Sequence, residues 1–166
     1  GRKPRAIIVT HTNGMPADMP AFMKLGVPVI EDAAQAIGAT IGARQAGTFG
    51  TIAIFSFGAT KMLTSSHGGM VFSRDKKLVE LARSFREYEE HGSYKPRFNF
   101  QMSDLQAAVG RAQLKKLPGF LQKRARTAQS YLEAFSPERC WPLRLEERQP
   151  NFYRFLLKTE KPEALH

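Results

Sequence analysis

Cysteine and long apolar runs are both scarce in this sequence. Cys140 is its single cysteine, which excludes an internal disulfide framework and a metal cluster built on several cysteines. The longest apolar runs, 6–9 and 52–55, are far shorter than the roughly 18 residues that a membrane-spanning helix needs. No signal-peptide pattern opens the chain. We therefore expect a cytoplasmic protein with no membrane partner.

Acidic residues are also few, because 15 Asp and Glu stand against 25 Lys and Arg and leave a net charge of +10. Such a balance favours anionic partners. The basic residues are nevertheless dispersed in pairs such as 76–77 and 115–116, and no basic stripe with interleaved aromatics is present. We therefore expect no nucleic-acid partner. A nucleic-acid-binding protein stays the least favoured hypothesis, and it would show binding that weakens steeply with salt.

Apolar runs and turn signals predict an alternation of strands and helices in the first half of the chain. A length of 166 residues with 42% hydrophobic residues is enough for one buried core. The runs predict strands at 5–10, 27–31, 51–57 and 68–73. A short helix with Met19, Phe22 and Met23 on one face should follow the first strand. This order indicates an α/β fold with a mostly parallel sheet covered by helices.

Helical spacing dominates the second half of the sequence. Ser73 is predicted to cap a helix, and Ser103 with Gln106 forms a capping box that opens another. Pro118 is predicted to start a third helix, because proline suits a first helical position. Residues 152–159 read as a strand.

Polar side chains of the types that bind ligands or catalyse reactions follow two of the predicted strands. Glu31, Asp32 and Gln35 follow the second strand, and Ser56 and Lys61 follow the third. Each has an ordinary explanation as a cap, a satisfied hydroxyl or a surface charge. Together, a carboxylate and a lysine at strand ends suit a cationic heteroaromatic cofactor, whose ring nitrogen the carboxylate would bind and whose aldehyde the amine would attack. Composition and spacing alone carry the interpretation no further.

Four ordered segments, 28–36 (PVIEDAAQA), 46–61 (AGTFGTIAIFSFGATK), 68–71 (GGMV) and 98–117 (FNFQMSDLQAAVGRAQLKKL), have a more specific pattern. This set closely resembles the central part of the DegT/DnrJ/StrS family of sugar aminotransferases. That family depends on pyridoxal 5'-phosphate and has the aspartate aminotransferase-like type I fold. The match runs from Ala6 to about Tyr131. It implies part of a type I large domain with a helical second half.

The resemblance implies roles for five residues. Asp32 would pair with the pyridine nitrogen, and Gln35 would lie against the cofactor near its phenolic oxygen. Lys61 would carry the cofactor as a Schiff base and later move the α-proton. Ser56 would bind the phosphate. Asn99 would reach the phosphate of a neighbouring subunit, which implies a homodimer.

The implied reaction transfers an amino group from an amino acid, commonly glutamate, to a nucleotide-linked keto-sugar. Lys61 favours this reaction, because dehydrating relatives have histidine at that position. The resemblance further implies that residues 1–135 are a large cofactor-binding domain, incomplete at its start, and that 136–166 begin a small C-terminal domain. The alternative is an inert or regulatory fragment of the family that acts as a binding or dimerisation module.

Three positions depart from the common family pattern. His67 stands where many relatives have glutamate, Gln101 where arginine is common, and Gly58 where a bulkier residue is usual. The first two are predicted to alter substrate contacts or the pKa of groups near the cofactor. A purely structural place for His67 in a turn is an equally weighted alternative.

Overall fold

The architecture is taken from a computed structural model, which describes residues 3–87, 92, 94–141 and 147–162. Within these residues, the strands are β1 (Ile7–Thr10), β2 (Val29–Asp32), β3 (Thr40–Ile41), β4 (Arg44–Gln45), β5 (Ile52–Ser56), β6 (Gly69–Phe72), β7 (Cys140–Trp141), β8 (Arg148–Gln149) and β9 (Leu156–Leu157). The α-helices are α1 (Met19–Met23), α2 (Lys76–Arg86) and α3 (Asp104–Ala134), and 3-10 turns form at Thr12–Gly14 and Pro137–Arg139.

The main sheet has the strand order β1-β2-β5-β6. Strands β1, β2 and β5 are parallel, whereas β6 runs antiparallel to β5. The register aligns Thr10 with Asp32 and Asp32 with Ile54. The four predicted strands are confirmed with small shifts of their ends. The carboxyl ends of the three parallel strands therefore meet at one edge, where ligands bind in sheets of this kind.

Two apolar clusters cover this sheet. One contains the buried Val9, Met19 and Val29, and the other consists of four buried alanines, at 33, 36, 39 and 46. The prediction for α1 holds only in part, because Met19 is fully buried but Met23 is 41% exposed. A helix this short buries about one turn, so one side chain can carry most of its packing.

A small three-stranded sheet joins residues 40–45 to residues 148–149. β3 and β4 form an antiparallel hairpin, and β8 pairs with the other side of β3. The sequence gives no strand signal at β3 and β4, because two-residue strands show no measurable alternation. This sheet places the segment after β8 against the first half of the molecule.

Helix α2 begins two residues later than predicted, and Ser73 is not its cap. Asp75 is the N-cap and its side chain accepts a hydrogen bond from the Lys77 amide. The Ser73 hydroxyl instead donates to the Thr51 carbonyl and accepts from the Asp75 amide. Ser73 thus fastens the end of β6 to the start of β5.

Helix α3 is one continuous helix rather than two. The predicted capping box of Ser103 and Gln106 is confirmed, but Pro118 lies inside the helix. Proline removes the hydrogen bond to the Leu114 carbonyl. Leu114 and Pro118 both lie on the exposed side of the helix. None of the described helices combines the length and apolar character that crossing a membrane requires.

The predicted strand at 152–159 is mostly wrong. Only Leu156 and Leu157 are in a strand, β9, which pairs with β7. Residues 151–153 are buried in the first half of the molecule instead. Tertiary contacts outweigh the strand propensity of this aromatic segment.

Candidate functional site

Asp32 ends β2 at the carboxyl edge of the sheet, between Thr10 of β1 and Ile54 of β5. Its side chain is half-buried, and Oδ1 accepts a hydrogen bond from the Ala34 amide at 3.1 Å. Among the described residues, none bonds to Oδ2. Asp32 therefore presents a negative charge with one oxygen available to a ligand.

The turn after β5 brings Ser56 and Lys61 together. The Lys61 amide donates to the Gly58 carbonyl at 3.0 Å, and the Gly58 amide donates to Ser56 Oγ at 3.3 Å. A Cβ atom added to Gly58 would lie 3.6 Å from Ser56 Oγ and 4.0 Å from Lys61 Cγ. The hydroxyl and the lysine stem thus flank the same glycine, one strand away from Asp32.

The Lys61 side chain is half-buried, and no carboxylate of the described residues lies within 4.0 Å of its amine. The amine Nζ lies 5.1 Å from the centre of the Tyr153 ring. A lysine facing an aromatic ring, without a counter-ion to hold it, remains available as a nucleophile or a base.

Gln35 connects the loops that follow β1 and β2. Its Oε1 accepts a hydrogen bond from the Asn13 amide at 2.7 Å. Asn13 has a positive φ of 57°, which asparagine tolerates better than most residues. Gln35 therefore holds the β1 loop beside the carboxyl edge.

Glu31 precedes Asp32 but lies on the other face of β2, as strand alternation requires. It is fully buried, and its carboxylate accepts four hydrogen bonds. The donors are His11 Nε2 at 3.0 Å and the amides of Gly47 at 2.7 Å, Phe49 at 2.6 Å and Gly50 at 2.5 Å. This carboxylate is fully occupied in holding the 47–50 loop.

The partner His11 is also fully buried, and its hydrogen bonds define its tautomer. The Ala17 amide can only donate, so His11 Nδ1 accepts that bond at 3.0 Å. The hydrogen on the ring is therefore at Nε2, which donates to Glu31. Burial alone raises the pKa of Glu31, but the bonds from His11, Gly50 and Gly47 outweigh it and hold that pKa below its usual range.

Tyr153 is a site residue that the sequence analysis missed. It is buried, and its ring faces the Lys61 amine. A side-chain hydrogen bond with Thr60 and the positive charges of Lys61 and Arg154 lower the pKa of Tyr153, although burial opposes the shift. The aromatic residues at 152–155 were a signal, but their strand-like pattern was interpreted as sheet.

Asn151 explains how Tyr153 reaches this position. Its Nδ2 donates to the carbonyls of Gln35 at 2.9 Å and Ile37 at 3.0 Å, and its Oδ1 accepts from the Tyr153 amide at 2.8 Å. The Asn151 amide donates to the Gly14 carbonyl at 3.1 Å. One buried side chain therefore ties the end of the chain to the loops after β1 and β2.

Helix α3 supports both sides of the site. A Cβ atom added to Gly110 would lie 3.7 Å from Ser65 Cβ, in the segment that follows Lys61. Arg124 Nη1 donates to the carbonyls of Phe152 at 3.2 Å and Tyr153 at 3.0 Å. These two positions are about 21 Å apart along the helix axis, so α3 braces both segments.

Asn99 differs from the four other predicted residues, which are half-buried. It is exposed, between Phe98 and Phe100, whose rings stack at 5.2 Å. The Phe98 amide donates to the Phe85 carbonyl, which fastens this segment to α2. In this chain Asn99 therefore faces outward.

Two of the positions that depart from the family pattern are also exposed. His67 lies in the turn before β6, where its Nδ1 is 3.3 Å from the Ser66 hydroxyl. Gln101 precedes Met102, whose Sδ packs against Gly68 in that same turn. The two residues therefore lie in adjoining segments near the Lys61 loop.

Comparison with known proteins identifies the family to which this fold belongs. A model of the DegT/DnrJ/EryC1/StrS aminotransferase family matches residues 1–164. The chain belongs to this family.

Two curated proteins and one solved structure illustrate the similarity. EpsN of Bacillus subtilis, provisionally named a pyridoxal phosphate-dependent aminotransferase, is 39% identical over 75% of this chain and 34% of its own length. A UDP-N-acetyl-3-dehydro-alpha-D-glucosamine 3-aminotransferase of Acidithiobacillus ferrooxidans is 40% identical over 78% of this chain and 37% of its own. S. venezuelae DesV, solved with a ketimine intermediate, has a TM-score of 0.88 and 32% identity over 97% of this chain and 46% of that protein. The chain therefore spans less than half the length of these relatives.

Proposed function

We propose that this chain is part of a pyridoxal-phosphate-dependent aminotransferase that transfers an amino group from an amino acid, glutamate in particular, to a nucleotide-linked keto-sugar. The placement of Asp32 and Lys61 at the carboxyl edge of adjacent parallel strands carries the proposal. Membership of an aminotransferase family supports the reaction class. The Acidithiobacillus ferrooxidans relative, which is named for a UDP-linked dehydro-sugar, supports the substrate class.

The residues present fit pyridoxal phosphate. The cofactor needs an anion for its ring nitrogen, an amine for its aldehyde and donors for its phosphate. Asp32 has an available carboxylate oxygen, Lys61 has an amine without a carboxylate partner among the described residues, and Ser56 has a hydroxyl on the same turn as Lys61. Gln35 and Asn99 complete the proposed binding set. When bound, the cofactor supplies an electron sink that stabilises negative charge at the substrate α-carbon.

Each proposed residue has a task set by its chemistry. Asp32 would keep the ring nitrogen protonated. A carboxylate in a partly buried site raises the pKa of a bound cation such as the protonated ring by roughly 1–3 pH units, or about 1.4–4 kcal/mol. Lys61 would hold the cofactor covalently, and its freed amine would then take up and return the α-proton as general base. Ser56 would donate a hydrogen bond to the phosphate.

The proposal extends to partners and setting. The net charge of +10 suits a substrate that carries a diphosphate. Asn99, which faces outward between two exposed phenylalanines, suits a homodimer in which it completes the partner's phosphate site. We further propose a cytoplasmic enzyme, with a large domain over 1–135 and a small domain that begins at 136–166.

The decisive experiment uses the full-length polypeptide, incubated with pyridoxal phosphate and then reduced with borohydride. We expect a yellow protein and a reduced cofactor mass on the peptide that contains Lys61. Lys116→Ala, at an exposed lysine of α3, is the matched control and should label fully, whereas Lys61→Ala should not. Glutamate and a nucleotide keto-sugar should then yield an amino-sugar product. A colourless protein without label at Lys61 would instead support the inert binding module.

A further inference from the structure

The Lys61 amine faces the ring of Tyr153, a residue about ninety positions later in the chain. The distance of 5.1 Å from Nζ to the ring centre lies within the range of a cation–π contact. No carboxylate of the described residues lies within 4.0 Å of this amine. The amine therefore packs against the Tyr153 ring without a counter-ion from those residues. Tyr153 is 9% exposed, so its ring position is restrained by packing.

Three contacts outside the lysine restrain Tyr153. Its amide donates to Asn151 Oδ1 at 2.8 Å, and its carbonyl accepts from Arg124 Nη1 at 3.0 Å. Its ring also faces the Arg154 guanidinium, whose Cζ lies 5.6 Å from the ring centre. Hydrogen bonds to the Tyr153 backbone therefore hold the residue in place while its ring faces the amine at the end of the Lys61 side chain.

We propose that Tyr153 is a positioning residue that holds the Lys61 amine at the carboxyl edge of the sheet. This inference rests on the proposed function, because the amine needs an exact position only if it reacts. A four-carbon lysine stem has many rotamers, and an aromatic face restricts them without neutralising or blocking the amine. A carboxylate would fix the amine more tightly, but it would also hold it protonated. The end segment of the chain thereby becomes part of the reactive site.

Formation of the borohydride-reducible adduct between pyridoxal phosphate and Lys61 is the first test, in the full-length apoprotein. We expect Tyr153→Leu to slow this step at least tenfold, because the ring is lost. Tyr153→Phe keeps the ring and should stay within about threefold of wild type. Tyr131→Leu, at a half-exposed tyrosine of α3, is the matched control and should leave the rate unchanged.

Ultraviolet titration of the Tyr153 phenol without any cofactor is the second test, measured as the difference between wild type and Tyr153→Phe. We expect Lys61→Met to raise the titration midpoint, because a positive charge near the phenol disappears. If Tyr153→Leu does not fold, this titration decides the question, and an unchanged midpoint would overturn the proposal.

The outcomes separate the two proposals. If wild type forms no adduct at Lys61, the proposed function fails. If wild type forms it and Tyr153→Leu matches that rate, the function stands and the positioning role is wrong. Equal slowing by Tyr153→Leu and Tyr131→Leu would likewise overturn the role, because it would show a general loss of structure.

Discussion

The two faces of strand β2 carry adjacent carboxylates in opposite circumstances. On the inner face, Glu31 is fully buried and accepts four hydrogen bonds, three of them from backbone amides of the 47–50 loop. On the outer face, Asp32 is half-buried and accepts one bond, from Ala34. Both side chains are carboxylates, but Glu31 accepts four hydrogen bonds within the protein, whereas one oxygen of Asp32 remains available to a ligand.

This contrast teaches how to separate a structural acid from a functional one. A buried carboxylate must satisfy its oxygens internally, since an unpaired buried charge costs several kcal/mol. A carboxylate at the carboxyl edge keeps an oxygen open because a ligand or water completes it. Substitutions on the outer face, where Asp32 lies, should therefore change activity. Substitutions on the inner face, where Glu31 lies, should change stability.

Lys61→Ala should have the largest effect, on the outer side. We expect the amino-transfer rate to fall at least about 10³-fold, because both the covalent anchor and the base are lost. Stability should fall by about 1 kcal/mol or less, since the amine makes no ion pair within the described residues and loses only its contact with the Tyr153 ring. Single-turnover kinetics and urea unfolding measure the two quantities. A large loss of stability would show that Lys61 also supports the fold.

Asp32→Asn should lower the rate about 10- to 10³-fold, because a neutral amide no longer holds the ring nitrogen protonated. The protein should remain yellow, since Lys61 is intact. A half-reaction with glutamate measures the rate, and the visible absorbance measures cofactor content. Turnover equal to wild type would exclude the proposed role of Asp32.

Glu31→Gln should act on the inner side and lower the free energy of unfolding by about 2–3 kcal/mol. The amide keeps the shape of the side chain but sets an NH₂ group against backbone donors. Urea unfolding measures the loss, and cofactor labelling of the protein that remains folded should be normal. An effect on labelling without an effect on stability would reverse the division between the two faces.

The pH dependence of stability should also come from Glu31. Its pKa is lowered in the folded state, so its contribution is present above the unfolded value of about 4.3 and is lost as pH falls through the folded pKa. Urea midpoints from pH 7 to pH 3 should fall more steeply for wild type than for Glu31→Gln. Parallel curves would mean that this carboxylate is not the group that titrates.

Alanine substitutions at two glycines, one on each side of β2, should have the smallest effects on activity and form a matched pair for stability. Gly58→Ala on the outer side places its Cβ 3.6 Å from Ser56 Oγ, an ordinary contact, so stability should change by no more than about 0.5 kcal/mol and labelling by less than twofold. Gly50→Ala on the inner side places its Cβ 2.6 Å from the Val29 carbonyl oxygen and should destabilise by about 1–3 kcal/mol. Thermal unfolding compares them, and equal losses would contradict the close packing of the 47–50 loop.

Local signals were enough to predict the four strands of the main sheet and the α3 capping box. Apolar runs such as 52–56 and the pair Ser103–Gln106 act over a few residues, so the sequence displays them directly. Polar residues at strand ends also marked Asp32 and Lys61 as candidates. The resemblance to a family then supplied roles that spacing alone did not.

The sequence by itself determined the α/β order, the four strands of the main sheet and the polar residue types that follow two of them. Tertiary structure alone decided which of two neighbouring carboxylates is sealed inside, that α3 continues through Pro118, and that Tyr153 lies against Lys61. The physical reason is the separation along the chain between the residues that interact. Periodicity and capping depend on residues within a turn or two, whereas burial and long-range contacts depend on segments that only folding brings together.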